Sequence, residues 1–232
     1  MKRLTAAIVL AGSVGLGIGP RVYAAGARAL PVAQSAAAAD HMEQRFDDVE
    51  RWAKVFDDPS RDAWQEPARV VDALQLSRGQ TVADIGAGTG YFTVALAKSP
   101  ASPRVYAVDV EPAMVEYVRQ RAAKEGLTNV RAVQASAQRA NLPFPVDLVL
   151  LVDTYHHISN RVGYFTTLRL RMKPTARLAV IDHRPGAPGG PPEAVRVTPE
   201  QVSTELAKAG FVLESQHDFL SRQHFLVFRM NP

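Results

Sequence analysis

Three stretches of this 232-residue chain hold side chains suited to chemistry. The first is Val82-Ala83-Asp84-Ile85-Gly86-Ala87-Gly88-Thr89-Gly90-Tyr91-Phe92, in which an apolar run opens into three alternating glycines. Glycine takes positive φ without steric cost and leaves no Cβ in a ligand's way. The next apolar run, Val105-Tyr106-Ala107-Val108, ends in Asp109. A carboxylate about 20 residues past such a turn is placed to accept the hydroxyls of a ribose. The second stretch is Asp153-Thr154-Tyr155-His156-His157, at the end of another apolar run. Asp153 or His156 is suited to removing or orienting a proton; the alternative is that one histidine caps the next helix and the other packs against a sheet. A metal site is not expected, because adjacent histidines rarely point at one ion. The third is Asp182-His183-Arg184. Arg184 either binds a substrate carboxylate or phosphate or forms a surface salt bridge.

The elements that must position these groups follow from periodicity. Phe46, Val49, Trp52, Ala53 and Phe56 recur at helical spacing, and Asp57-Asp58-Pro59-Ser60 ends that helix. A second helix is expected over 64–76. Strands then alternate with helices: strands over 81–85, 104–108, 130–135, 146–152 and 178–181, and helices over 91–98, 112–125, 160–172 and 199–209. The run over 146–152 is continuously apolar, as a strand buried on both faces must be. Two closing strands, 211–219 and 223–229, flank a short polar turn and predict an antiparallel hairpin. Alternating strands and helices imply a parallel sheet covered on both faces. The loop from Pro185 to Pro192 falls near the carboxyl end of its strand, where ligands bind in such sheets.

The glycine stretch resembles motif I of class I S-adenosylmethionine (SAM)-dependent methyltransferases, and Asp109 matches their ribose-binding acid. The spacing is Gly-x-Gly-x-Gly, not the Gly-x-Gly-x-x-Gly of nicotinamide enzymes. The resemblance runs from about Ala63 to the end. It implies a Rossmann-like α/β fold: a seven-stranded, mostly parallel sheet with a C-terminal antiparallel hairpin and helices on both faces. It also implies SAM as cofactor, with Gly86, Gly88 and Gly90 wrapping it and Asp84 near its amino group. Gln134-Ala135-Ser136-Ala137 matches the adenine-contacting segment, with Ser136 where many members carry Asp, so Ser136 or the amide of Ala137 is expected there. In 61–67 the resemblance suggests Gln65 against the methionine end of SAM. Trp64 walls the acceptor pocket or packs into the core. The asparagine–proline tetrapeptide of many adenine and glutamine methylases is absent, and Val-Asp-Thr-Tyr stands after strand four. A small-molecule acceptor is therefore expected. Two rivals stand beside it: a non-catalytic SAM- or nucleoside-binding protein, and a nicotinamide oxidoreductase.

Composition bounds the remainder. With no cysteine, disulfides, Cys-ligated zinc, iron–sulfur clusters and thiol nucleophiles are excluded. The net charge is +4, but Lys2, Arg3 and Arg21 lie in a first segment free of acids, so the rest is nearly balanced. Neither that balance nor any stripe of basic and aromatic residues suggests nucleic-acid binding. A positive start, an apolar stretch over 4–18 and small residues around Ala24 form the pattern of a secretory signal peptide over 1–24. The stretch is short for a membrane span, so membrane contact is expected only if that segment stays uncleaved as an anchor. An Ala-rich linker over 25–40 and a methyltransferase domain over 41–232 follow. Export predicts a periplasmic or secreted protein; translation from Met42 would instead leave it cytoplasmic. His41, His217 and His224 belong to no constellation and read as surface or strand residues.

Overall fold

The computed structural model describes Phe46 and residues 48–231. The expected leader (1–24), linker (25–40) and His41 lie outside the described residues. The strands are β1 (Thr81–Ile85), β2 (Arg104–Asp109), β3 (Val130–Gln134), β4 (Val146–Val152), β5 (Met172–His183), β6 (Phe211–His217) and β7 (Gln223–Met230). They form one sheet in the order β3-β2-β1-β4-β5-β7-β6. The first five run parallel, and β7 is antiparallel to both β5 and β6. This is the Rossmann-like sheet with a closing hairpin that the sequence pattern implies.

The helices are α1 (Val49–Phe56), α2 (Asp62–Gln65), α3 (Pro67–Ala73), α4 (Tyr91–Lys98), α5 (Pro112–Lys124), α6 (Arg161–Arg169) and α7 (Pro199–Lys208). They cover both faces. Alternate strand residues such as Leu148, Leu150 and Ile181 meet Val70, Phe92 and Leu96 of α3 and α4. Their neighbours Val149, Leu151 and Val180 meet Phe165, Val202 and Leu206 of α6 and α7. The period of two in a strand thus divides one apolar run between two cores. Caps sit where the sequence supplies them. Asn160 accepts from the Gly163 amide ahead of α6, and Thr198 accepts from Gln201 ahead of α7.

Two departures from the expected elements are the largest. The single helix expected over 64–76 is broken into α2 and α3 at Glu66, which has φ +44°. The ring of Pro67 clashes with a right-handed helical residue before it, so the chain turns there. The helix expected over 160–172 ends at Arg169, and Met172 opens a twelve-residue β5. Val146 pairs with Met172 and Leu148 with Arg177, so residues 173–176 bulge out of the ladder. Pro174, which has no N–H to donate, sits in that bulge.

The turn after β4, a 3-10 helix over Tyr155–His157, is fastened to α6 and α7 by Glu205. The Tyr155 hydroxyl donates to its Oε2 at 2.8 Å, Arg161 donates at 2.5 and 3.0 Å, and Gln201 at 3.0 Å. Burial alone would raise the Glu205 pKa, but Arg161, Gln201 and Tyr155 outweigh it and hold the carboxyl down to about 2. A depressed carboxyl contributes stability above its unfolded pKa and loses it as pH falls through the folded value. The group is partly exposed, which discounts its contribution to about 1 kcal/mol. Glu205→Gln should therefore lower Tm by about 2–4 °C at pH 7. In thermal denaturation, that gap should close as pH falls from about 4.5 towards 2. A gap unchanged at the acid end would mean that charge does not hold this junction.

Candidate functional site

The glycine turn is shaped by conformations that only glycine takes readily: φ is +72° at Gly86, +54° at Gly88 and +85° at Gly90. Gly90 is the N-cap of α4. The turn is braced from two sides. The Gly88 amide donates to Asp109 Oδ2 at 2.8 Å, while Asp109 Oδ1 accepts from the Glu111 amide at 2.9 Å. Burial raises the Asp109 pKa against these two amides. From the other side Asp57 accepts from Thr89 Oγ1 at 2.8 Å and from Arg121 at 2.8 Å. The sequence marked Asp57 only as a helix stop; its partners are 32 and 64 residues away.

Asp84 is buried under the turn and accepts from Thr93 Oγ1 at 2.6 Å. Burial pushes its carboxyl up to about 6. A cation placed beside it would favour the ionised form. Ser136 and Ala137 border a small cavity of about 160 Å³ that shares Gly86, Asp109, Thr154 and His157 with the main cleft. That cleft has a volume of about 760 Å³ and runs from Asp84, Gly88 and Asp109 to Asp153, His156 and His183. The volume falls within the ~300–1,000 Å³ typical of small-molecule sites. The turn and its acid thus leave room for an adenosyl ligand against bare backbone.

Two histidine–aspartate pairs close the far end. Asp182 accepts His156 Nδ1 across both oxygens, at 2.8 and 2.9 Å, and also takes the His156 and His183 amides at 3.1 and 2.8 Å. Burial would lower the His156 pKa, but Asp182, with Asp153 adding to it, raises it. His183 Nδ1 lies 2.9 Å from Asp153 Oδ1. Asp153 also accepts from Gln223 at 2.7 Å and from Gln65 at 3.0 Å. Burial opposes its ionisation, yet His183, His156 and Gln223 hold its carboxyl below the usual range. Its φ of +51° is a strained value for a residue with a side chain. Asp153, Asp182 and His183 place ligand atoms within 4.8 Å of one another, close enough to share an ion. However, the N–H groups already facing Asp182 engage both of its oxygens, so the arrangement suits proton handling better.

The structure brings most of the singled-out residues together and relocates a few. Gln65 is fully buried and spends its amide on Arg61, at 2.7 Å, and on Asp153, so it stands behind the cleft. Trp64 lines the cleft, 5.5 Å from the His183 ring. Arg184 forms no salt bridge among the described residues and donates to the carbonyls of Leu220 and, at 2.6 Å, of Gln223. His224 is a strand residue of β7, as one of the two expected readings had it, and is buried, which pushes its pKa down. Sequence reasoning placed His183 in a stretch suited to chemistry without giving it a role, and it did not mark Gln223. Their pairing across β5 and β7 is set by antiparallel register, and only the strand alignment could have revealed it.

Gly86 offers a direct test of the turn. A Cβ there would lie 2.2 Å from Thr154 Oγ1, whereas one at Gly126, with a similar φ of +67°, would meet nothing within 4 Å. Gly126→Ala should cost only the ~1 kcal/mol of left-handed strain. Gly86→Ala should cost clearly more in the same denaturation assay. Equal losses would mean that Thr154 does not brace the turn.

Comparisons with known proteins agree with this geometry. Residues 82–175 match the family model described as a methyltransferase domain. A SAM-dependent methyltransferase from Aquifex aeolicus superposes with a TM-score of 0.72 at 29% identity, covering 78% of this chain and 97% of that one. Among curated relatives, (S)-tetrahydroprotoberberine N-methyltransferase of Eschscholzia californica is 30% identical over 112 residues, or 48% of this chain and 32% of its own. Demethylmenaquinone methyltransferase of Tropheryma whipplei is 30% identical over 47% of this chain and 44% of its own. The chain thus spans less than half the length of these curated relatives. In its sheet and its glycine turn, and by these likenesses, the chain is similar to SAM-dependent methyltransferases and carries their Rossmann-like fold.

Proposed function

We propose that the protein transfers a methyl group from SAM to a small-molecule acceptor. One observation carries the reading: a single cleft joins the glycine turn and Asp109 to a pair of histidine–aspartate contacts beside aromatic walls. Gly86, Gly88 and Gly90 give the cofactor bare backbone to lie against. Asp109 holds the ribose through lone pairs not used by the Gly88 and Glu111 amides. Asp84 faces the methionine amino group, and Ser136 or the Ala137 amide faces adenine. SAM supplies an electrophilic methyl group, so the protein's own task is to place the acceptor and manage its proton. His156 and Asp153 border the end of the cleft where that proton is managed. Three of the curated relatives carry N- or O-methyltransferase names with small-molecule acceptors, which supports a small acceptor without selecting its atom.

The amino-terminal pattern supports a second part of the proposal: the protein is exported and works in the periplasm or outside the cell, after removal of residues 1–24 or anchored by them. Translation from Met42 would instead retain it in the cytoplasm.

The test is transfer of labelled methyl from SAM into pooled small molecules, run beside two variants. Asp109→Ala should weaken SAM binding at least tenfold while the protein stays folded. His156→Ala should slow turnover more than it weakens SAM binding. Unchanged affinity in folded Asp109→Ala would remove the ribose assignment. Failure of the wild type to label any acceptor while still binding SAM would favour a non-catalytic SAM-binding protein.

A further inference from the structure

We propose that His183, oriented by Asp153, is the base that takes the acceptor's proton, and that the acceptor is a phenol-type hydroxyl. This rests on the methyltransferase reading above and assigns the substrate class of that same site. Asp153 is an acceptor for His183 Nδ1 at 2.9 Å, so that nitrogen carries the hydrogen and Nε2 keeps its lone pair. Both His183 and Gly190 border the cleft, and Gly190 lies against the Nε2 edge so closely that a Cβ there would come within 2.4 Å of it. Trp64 packs against the ring at 5.5 Å. The imidazole, only 3% exposed, is therefore held in one orientation, with its Nε2 edge against Gly190 where both residues border the cleft.

Asp153 is held by two donors besides His183. Gln65 and Gln223, far apart in the chain, both donate to it at 3.0 and 2.7 Å, and its backbone is strained at φ +51°. Strain of this kind persists where surrounding contacts over-determine a functional group. Asp153 acts through His183 and is a positioning residue; His183 is the catalytic one.

The acceptor class follows from what such a base is needed for. A neutral amine attacks with its lone pair and loses its proton afterwards. A phenol, with a pKa near 10, is a weak nucleophile at neutral pH until its proton is taken. The cleft is walled by Trp52, Phe56 and Trp64, which suit a planar ring. The step balances simply. The phenolic O–H breaks and its proton goes to Nε2. The oxygen forms the new O–CH3 bond as the S–CH3 bond breaks, its electron pair staying on sulfur to give S-adenosylhomocysteine. The imidazolium, stabilised by Asp153, then returns its proton to water.

The experiment uses the purified full chain with a series of ring-substituted phenols of graded acidity, and aniline as the amine control. Phenols should be methylated and aniline not. His183→Gln should keep SAM affinity by calorimetry yet lose about 10²-fold in turnover, with the loss shrinking as the phenol becomes more acidic. A purely structural histidine would show no such trend. A second readout needs neither turnover nor a variant: 4-nitrophenol bound to the wild type with S-adenosylhomocysteine should show the phenolate absorption band. Wild-type turnover by His183→Gln, an equal loss across the series, methylation of aniline alone, or 4-nitrophenol unbound or bound as the neutral phenol would each overturn the proposal. Failure of the folded wild type to bind SAM would instead overturn the reading beneath it.

Discussion

Two carboxylates at the carboxyl ends of β4 and β5 set the terms for the rest of this site. An ionised carboxylate removed from water costs several kcal/mol unless donors replace the lost solvent. Asp182 is fully buried, and its donors are the His156 ring and two backbone amides. Asp153 draws on His183, Gln65 and Gln223. Those donors come from α2, the turn after β4, β5 and β7, so satisfying two charges ties together parts of the chain that are far apart in sequence. The histidines gain from this too. Each has one ring nitrogen fixed by a carboxylate, which leaves the other nitrogen's role defined.

The cofactor end follows a different principle. There the backbone does the shaping, through three positive-φ glycines, and side chains act as braces. Asp109 is both brace and expected ligand: one of its oxygens already holds the Gly88 amide. Asp57 pins the other side of the turn through Thr89 and Arg121, so the end of α1 and the glycine turn share one carboxylate. α1 itself buries no residue fully, and Trp52 stacks on Phe56 at 5.2 Å along the cleft. Aromatic area facing a cavity is a poor way to build a core and a good way to receive a flat ligand.

Much of this could be read in the sequence, for physical reasons. Strand and helix periods are local, so the alternation over β1 to β5 and the closing hairpin were legible. The glycine turn and Asp109 were legible because a turn that only glycine tolerates leaves a spacing signature. Boundaries failed where one residue overrode the local pattern: Pro67 forces the break at Glu66, and the bulge around Pro174 hides the start of β5. The His183–Asp153–Gln223 contact was invisible, since it depends on which residues of β5 and β7 fall opposite one another. The partners of Arg184 and the burial of His224 were hidden for the same reason. Their surroundings are made by the packing of the last hairpin, which carries no mark in a window of neighbours.

The central claim is that this cleft holds an adenosyl ligand of the methyl-transfer type. Calorimetric titration of the purified full chain with SAM, S-adenosylhomocysteine and NAD tests it most directly. The account predicts that both adenosyl ligands containing methionine-derived sulfur bind and that NAD does not. A folded chain that binds neither, or that binds NAD in their place, would contradict it.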